Sequence, residues 1–171
     1  METAIPALIV IMLLVTSMLT LVHGYLSAQD AMQESWREME ERMGERMRTQ
    51  ISGVGAGTTD LGATVVVTLT NQGETKLADF DHWDVILEYK ASDDMDYTEW
   101  YSYGVGTNQW QKTIYLEAST ATAEVFDTGI LDPGEEIAIR VSVTPTVKAG
   151  TTNWATIATP NGVRASRVFT G

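Results

Sequence analysis

The chain begins with a long apolar run, AIPALIVIMLLVTSMLTLV (Ala4–Val22), which carries no charged side chain. As a helix with a rise of about 1.5 Å per residue, a stretch of this length extends roughly 28 Å, enough to cross the hydrocarbon core of a membrane. The first lysine or arginine is Arg37. A secretory signal peptide carries a basic segment before its apolar run, and a stable anchor usually has basic residues near one end. We therefore expect that Met1 follows a basic leader that has been removed, and that the helix packs against copies of itself.

A second, charged helical segment follows the apolar run. Its apolar residues recur every three or four positions, which places them on one face of a helix: Ala28, Met32, Trp36, Met39, Met43, Met47 and Ile51. Glutamates and arginines occupy the other faces, and Glu38 with Arg42 is a favourable i,i+4 pair. The pattern predicts one nearly continuous helix from about Ile5 to about Gln50.

The predicted domain organisation has three parts. Residues 1–52 form the N-terminal helix, hydrophobic over 4–22 and amphipathic over 28–51. Three closely spaced glycines, Gly53, Gly55 and Gly57, are expected to end the helix and form a hinge over 53–57. Residues 58–171 form a β-domain.

After the glycines, the sequence pattern predicts seven or eight short strands. β-branched and alternating runs are separated by turn signals such as Asn71-Gln72-Gly73 and Leu131-Asp132-Pro133-Gly134. The run Glu136–Val143 alternates cleanly and places Ile137, Ile139, Val141 and Val143 on one face. The predicted strands are Ala63–Thr70, Trp83–Tyr89, Trp100–Tyr103, Gln111–Leu116, Ala123–Phe126, Glu136–Val143, Trp154–Thr159 and Val163–Phe169. The predicted fold class is α+β, a long hydrophobic N-terminal α-helix followed by an immunoglobulin-like antiparallel β-sandwich.

Composition narrows the classes of function. The formal net charge is −12, and sixteen acids face seven bases after Gly53, which argues against a nucleic-acid partner. The chain contains no cysteine, so disulfides, thiolate metal sites and a cysteine nucleophile are excluded. The sequence shows no nucleophile elbow, no His-Glu-x-x-His pair and no Walker A loop. We predict no enzyme and no cofactor.

The aspartate clusters and the aromatic residues each have two possible interpretations. Asp79, Asp81 and Asp84, and separately Asp93, Asp94 and Asp96, could supply calcium with oxygen ligands or could be solvated acidic turns; neither cluster matches an EF-hand. Eight aromatic residues could form a carbohydrate-binding surface or pack in the core and at subunit contacts: Trp83, Trp100, Trp110, Trp154, Tyr97, Tyr101, Tyr103 and Tyr115.

The whole architecture resembles archaellins and the related archaeal type IV pilin-like proteins. The residues that carry the resemblance are Ala4–Val22 and the phrases VTLTNQG (67–73), LDPGE (131–135) and TPNGV (159–163). Many type IV pilins carry a glutamate at the fifth mature position, where this chain has Ile5, which favours an archaellin-like helix. The chain has no Asn-x-Ser/Thr sequon, so the N-glycosylation common in archaeal members is not encoded.

The resemblance implies a structural subunit of an extracellular helical filament, archaellum-like or type IV pilus-like, assembled by packing of N-terminal helices. Its implied partners are further copies of itself, the membrane before assembly, a leader peptidase and an assembly ATPase. The implied localisation is a filament on the cell surface, reached from a transient single-pass membrane precursor. The alternatives are a membrane-anchored envelope or stator-like component of the filament machinery and a surface-displayed binding module. The residues predicted to pack the filament core are Ile5, Leu8, Ile9, Ile11, Met12, Leu14, Val15, Leu19, Val22, Trp36, Met39, Met43 and Met47.

Overall fold

The computed structural model describes residues 4–117 and 122–171, without the side chains of residues 4–6 and 117. One helix, α1 (Ala4–Arg48), precedes a set of nine strands in this part of the chain. The strands are β1 (Ile51–Thr59), β2 (Thr64–Asn71), β3 (Asp84–Lys90), β4 (Asp96–Tyr103), β5 (Gln109–Glu117), β6 (Thr122–Ala123), β7 (Glu136–Ser142), β8 (Thr152–Ala158) and β9 (Arg164–Thr170). Single 3₁₀ turns lie at Asp60–Gly62 and Phe80–His82.

The chain divides into two compact units, Met1–Met43 and Gly44–Gly171. The last turn of α1 therefore belongs to the same unit as the strands. Helix α1 is continuous through Gly24 and Gly44, as the sequence predicted, and ends at Arg48, about two residues earlier than expected.

The predicted glycine hinge over 53–57 is wrong. These residues lie inside β1, which pairs antiparallel with β2 from Ile51↔Asn71 to Thr59↔Thr64 with a register shift between Gly53 and Gly55. The Arg167 side chain crosses Gly53 and its guanidinium donates a hydrogen bond to the Gly53 carbonyl. A Cβ on Gly53 would lie less than 3.0 Å from three atoms of Arg167. The glycine is needed for this close approach, and the β-domain begins at Ile51 instead of residue 58.

The connection between α1 and β1 is fixed by hydrogen bonds. Buried Thr49 donates its hydroxyl to the Glu45 carbonyl at 2.8 Å and accepts from the Asn161 amide at 2.7 Å. The turn after β2 covers the helix end, where the Glu74 amide donates to the Arg48 carbonyl at 2.8 Å. Since a Cβ on Gly73 would lie less than 3.0 Å from the Arg48 carbonyl oxygen, only glycine allows this turn to come so close.

The strands form one hydrogen-bonded path with the order β1-β2-β7-β5-β4-β3-β8-β9, and β6 pairs with β5 off this path. The two halves of the path are antiparallel, β1-β2-β7-β5 and β4-β3-β8-β9. A parallel contact of two residue pairs, Ser102↔Gln109 and Tyr103↔Trp110, joins the halves. The predicted fold class, a long N-terminal helix followed by an antiparallel β-sandwich, is confirmed.

The core lies between the two halves of the path. The predicted inward face of β7 and its continuation is buried: Ile137, Ile139 and Val141 are fully buried and Val143 nearly so. Trp83, Trp110 and Tyr101 are also buried there. The predicted strand Ala123–Phe126 is shorter, because β6 contains only Thr122 and Ala123 and Phe126 is fully exposed.

Candidate assembly surfaces

The first half of α1 presents apolar side chains in every direction. Its large aliphatic residues from Leu8 to Leu26 are each about half to three-quarters exposed in the single chain. The hydroxyls in this run are satisfied internally: Thr16 donates to the Met12 carbonyl at 2.9 Å and Thr20 to the Thr16 carbonyl at 2.7 Å. A helix that is apolar all round is stable only when it is buried in protein or in a membrane. By length and composition α1 can span a membrane, and its most apolar window is unburied within the chain.

The residues predicted to pack a filament core all lie on α1. Eight of them in the first half are exposed in the single chain and therefore free to contact other molecules: Leu8, Ile9, Ile11, Met12, Leu14, Val15, Leu19 and Val22. The ninth, Ile5, has its backbone in the helix, but its side chain lies outside the described part of the structure. Their burial against neighbouring helices stays a prediction.

The second half of α1 carries a narrower apolar stripe, which we call the methionine stripe: Met32, Trp36, Met39, Met43 and Met47. In the single chain Trp36 is 68% exposed and Met43 is 58% exposed. Ion pairs lie on other sides of the helix, where Arg37 contacts Glu41 at 3.6 Å and Arg42 contacts Glu38 at 3.1 Å. The helix therefore has one apolar and one hydrated side beyond the length that a membrane covers.

The aspartate clusters are involved in local contacts. Asp81 pairs with His82 at 3.2 Å, and Asp93 accepts a hydrogen bond from the Tyr97 hydroxyl at 2.8 Å. Lys148 hydrogen-bonds Asp94, and this contact holds the pKa of the Asp94 carboxyl below its usual value. Among the described residues, no group of three or more histidines, aspartates or glutamates is placed to hold a metal ion.

The aromatic residues divide between the core and the surface. Trp83 and Trp110 are buried, and burial raises the pKa of the Tyr101 hydroxyl far above its usual value. Trp100 on β4 and Trp154 on β8 are about half exposed. The core-packing alternative therefore holds for the first three, and the binding-surface alternative stays a prediction for Trp100 and Trp154.

One further group of side chains comes together only in the folded chain. Arg46 in the last turn of α1 and Arg164 at the start of β9 line the same surface depression. They are far apart in the sequence, so no spacing rule pairs them, and only the fold brings them together.

Comparison with solved structures identifies the same architecture in components of the archaellum. The archaellum periplasmic stator protein FlaG from Sulfolobus acidocaldarius is similar over 71% of this chain and 99% of its own, with a TM-score of 0.53 and 22% identity. The FlaF–FlaG stator complex of the same organism matches with the same TM-score and identity, over 71% of this chain and 89% of that chain. The archaeal flagellum of Methanospirillum hungatei is similar over 97% of this chain and 92% of its own, with a TM-score of 0.61 and 14% identity.

Searches at the level of sequence add no relative. No family model matches the chain, and no curated protein matches it. The likeness is thus one of fold, and it confirms the prediction of an archaellin-like architecture.

Proposed function

We propose that this chain is a structural subunit of an extracellular helical filament whose centre is built from the N-terminal helices of many copies. The observation that carries the proposal is the surface of α1, which is apolar all round in its first half and continues as the methionine stripe. The likeness to the archaeal flagellum over nearly the whole chain supports it.

The energetics favour assembly over a free helix. Covering a large apolar side chain is worth roughly 1.5–3 kcal/mol when it is fully buried. The helix carries many such side chains, and the exposed fraction of each is about one half or more in the single chain. A soluble monomer rarely exposes a continuous apolar surface of this size.

The methionine stripe separates a filament subunit from a simple anchor. A membrane covers about 20 helical residues. Residues 4–22 already account for that length, so the stripe from Met32 to Met47 would lie in water on an isolated anchor. In a filament, neighbouring helices cover it, and the flexible methionine side chains adapt to the available space.

The resemblance to archaellins suggests the route by which the chain reaches the filament. Before assembly, the apolar half of α1 resides in the membrane as a single span. A leader peptidase then releases the helix for assembly, an ATPase-driven machine stacks the copies, and the acidic β-domains face outward on the cell surface. The chain acts as a building element and not as an enzyme, and it does not bind nucleic acid, in keeping with its net charge of −12.

A second candidate function is a stator-like component of the same machinery. The specific observation in its favour is the structural similarity to FlaG. This similarity covers almost all of the FlaG chain, at 22% sequence identity. In this role α1 would be a permanent anchor, and the methionine stripe would have no partner helix of its own kind.

Electron microscopy of the full-length chain and of Val10→Lys tests the proposal. Wild-type chain is expected to form filaments. Val10→Lys is expected to form none, because a buried unpaired charge costs several kcal/mol in every subunit. Gln33→Lys, a charged substitution outside the apolar run, is the matched control and should still assemble. Wild-type material that stays monomeric in membranes or detergent, with no filaments, favours the stator-like role.

A further inference from the structure

A basic depression lies on the β-domain beside the end of α1. Its volume is about 490 Å³, in the size range of pockets that hold small ligands. Arg46, His82 and Arg164 line it together with Asp84, while Ile86 and Pro160 supply apolar surface. We call it the arginine depression.

The two arginines of this depression lack partners. Among the described residues, neither Arg46 nor Arg164 makes an ion pair or a side-chain hydrogen bond. Asp84 in the depression accepts a hydrogen bond from the Trp100 indole at 2.9 Å and keeps its negative charge, so the lining carries two arginine charges against one carboxylate. In a chain with a net charge of −12, two unpaired arginines in one depression form a local site for an acidic group.

A complementary feature lies at the opposite end of the same strand. β3 begins at Asp84, in the arginine depression, and ends at Lys90, followed directly by the tight turn 91–96. This turn, which we call the acidic turn, carries three aspartates and presents Met95 at 62% exposure. Seven strand residues separate the two features by about 20 Å at a rise of about 3.3 Å per residue.

The acidic turn is held by hydrogen bonds and ion pairs of its own, which include the contact of Lys148 with Asp94. The Asp93 carboxylate accepts hydrogen bonds from the Met95 amide at 3.0 Å and the Tyr97 hydroxyl at 2.8 Å. The Ala91 amide donates to the Met95 carbonyl at 2.9 Å. Asp96 is the freest acid, since its side chain is 85% exposed and Lys90 is 3.5 Å away. A preorganised turn loses little conformational entropy on docking.

We propose that the acidic turn of one copy docks in the arginine depression of the next copy. Asp96 and its neighbours face Arg46 and Arg164, and Met95 covers the apolar surface around Ile86. Because the depression and the acidic turn are different surfaces of the chain, the contact is heterologous and links copies head to tail. Such a contact builds an open filament when the rotation from copy to copy does not close a ring. The inference rests on the proposed filament function and adds a contact between β-domains to the packing of helices.

A charge swap in full-length filaments tests the contact. Arg164→Glu and Asp96→Arg should each raise the subunit concentration needed for assembly by about tenfold, because each removes an attraction and adds a repulsion. The double variant Arg164→Glu/Asp96→Arg should recover most of that loss, as a coupled pair does. Arg140→Glu, which alters another exposed arginine without a described side-chain partner, is the matched control and should neither weaken assembly comparably nor rescue Asp96→Arg.

Cross-linking supplies an independent readout, because the chain has no cysteine of its own. Oxidised filaments of Met95→Cys/Ile86→Cys should give a ladder of covalent oligomers on non-reducing gels, and those of Met95→Cys/Arg140→Cys should not. Wild-type filaments combined with no rescue and no ladder would overturn this contact alone. A wild-type chain that never forms filaments would overturn the proposed function and this contact with it. A cross-link from the depression to a different protein would identify another occupant and also overturn the proposal.

Discussion

Removal of the two central side chains of the methionine stripe, in Trp36→Ala/Met43→Ala, should weaken the filament without weakening the β-domain. Trp36 is 68% exposed in the single chain. Since a tryptophan can bury up to ~250 Å², roughly 170 Å² remains for a neighbour to cover. At ~25 cal/mol per Å² that area is worth about 4 kcal/mol, and the 58% exposed Met43 adds about 1–2 kcal/mol. The double substitution therefore removes up to about 6 kcal/mol per subunit, an upper limit because alanine keeps part of the contact.

The assay is thermal dissociation of filaments, followed by light scattering and checked by electron microscopy. Unfolding of the β-domain is followed separately by near-ultraviolet circular dichroism, which reports on buried tryptophans such as Trp83 and Trp110. The double variant should dissociate at a clearly lower temperature while the β-domain unfolds as in the wild type. Glu34→Ala/Glu45→Ala, on the opposite side of the helix, is the control. Filaments of the double variant that dissociate at the wild-type temperature would show that Trp36 and Met43 do not stabilise the contact between helices.

The remaining predictions concern the β-domain. Gly73→Ala should destabilise it by about 1–3 kcal/mol, because the added Cβ meets the Arg48 carbonyl oxygen and backbone must shift. Gly55→Ala, whose Cβ meets nothing within 4 Å, should cost less in the same thermal unfolding experiment, and equal losses would contradict the close approach at Gly73. Lys148→Met should let the pKa of Asp94 rise toward its usual value, measured by NMR titration of the carboxyl group. A lowered carboxyl pKa stabilises the fold above the unfolded-state pKa, and this stabilisation is lost as pH falls through the folded-state pKa. The wild type should therefore lose more stability than Lys148→Met on acidification through that range, and identical pH profiles would speak against the pair.

The sequence predicts the parts of this fold that depend on local periodicity. The three-to-four spacing predicts a helix, and α1 is helical from Ala4 to Arg48. The alternation of β7 predicts one inward face, and burial of Ile137, Ile139 and Val141 confirms it. The sequence predicts a hinge in place of strand β1, because Gly53, Gly55 and Gly57 are typical of turns. The strand is stabilised by pairing with β2 and by contact with Arg167, and local composition encodes neither interaction.

The candidate surfaces also differ in how far local sequence patterns predict them. The apolar surface of α1 can be predicted from the sequence, since the helical repeat fixes which residues share a face. The arginine depression cannot be predicted from local sequence patterns, because Arg46 and Arg164 come together only after α1, β8 and β9 have folded.

Cryo-electron microscopy of material assembled from the full-length chain shows directly whether the N-terminal helices build the filament. We expect a helical filament in which α1 of neighbouring copies fills the centre, Trp36 is buried between helices and the acidic β-domains form the outside. Particles without helical order, or filaments in which the α1 helices lie apart with Trp36 in solvent, would contradict it.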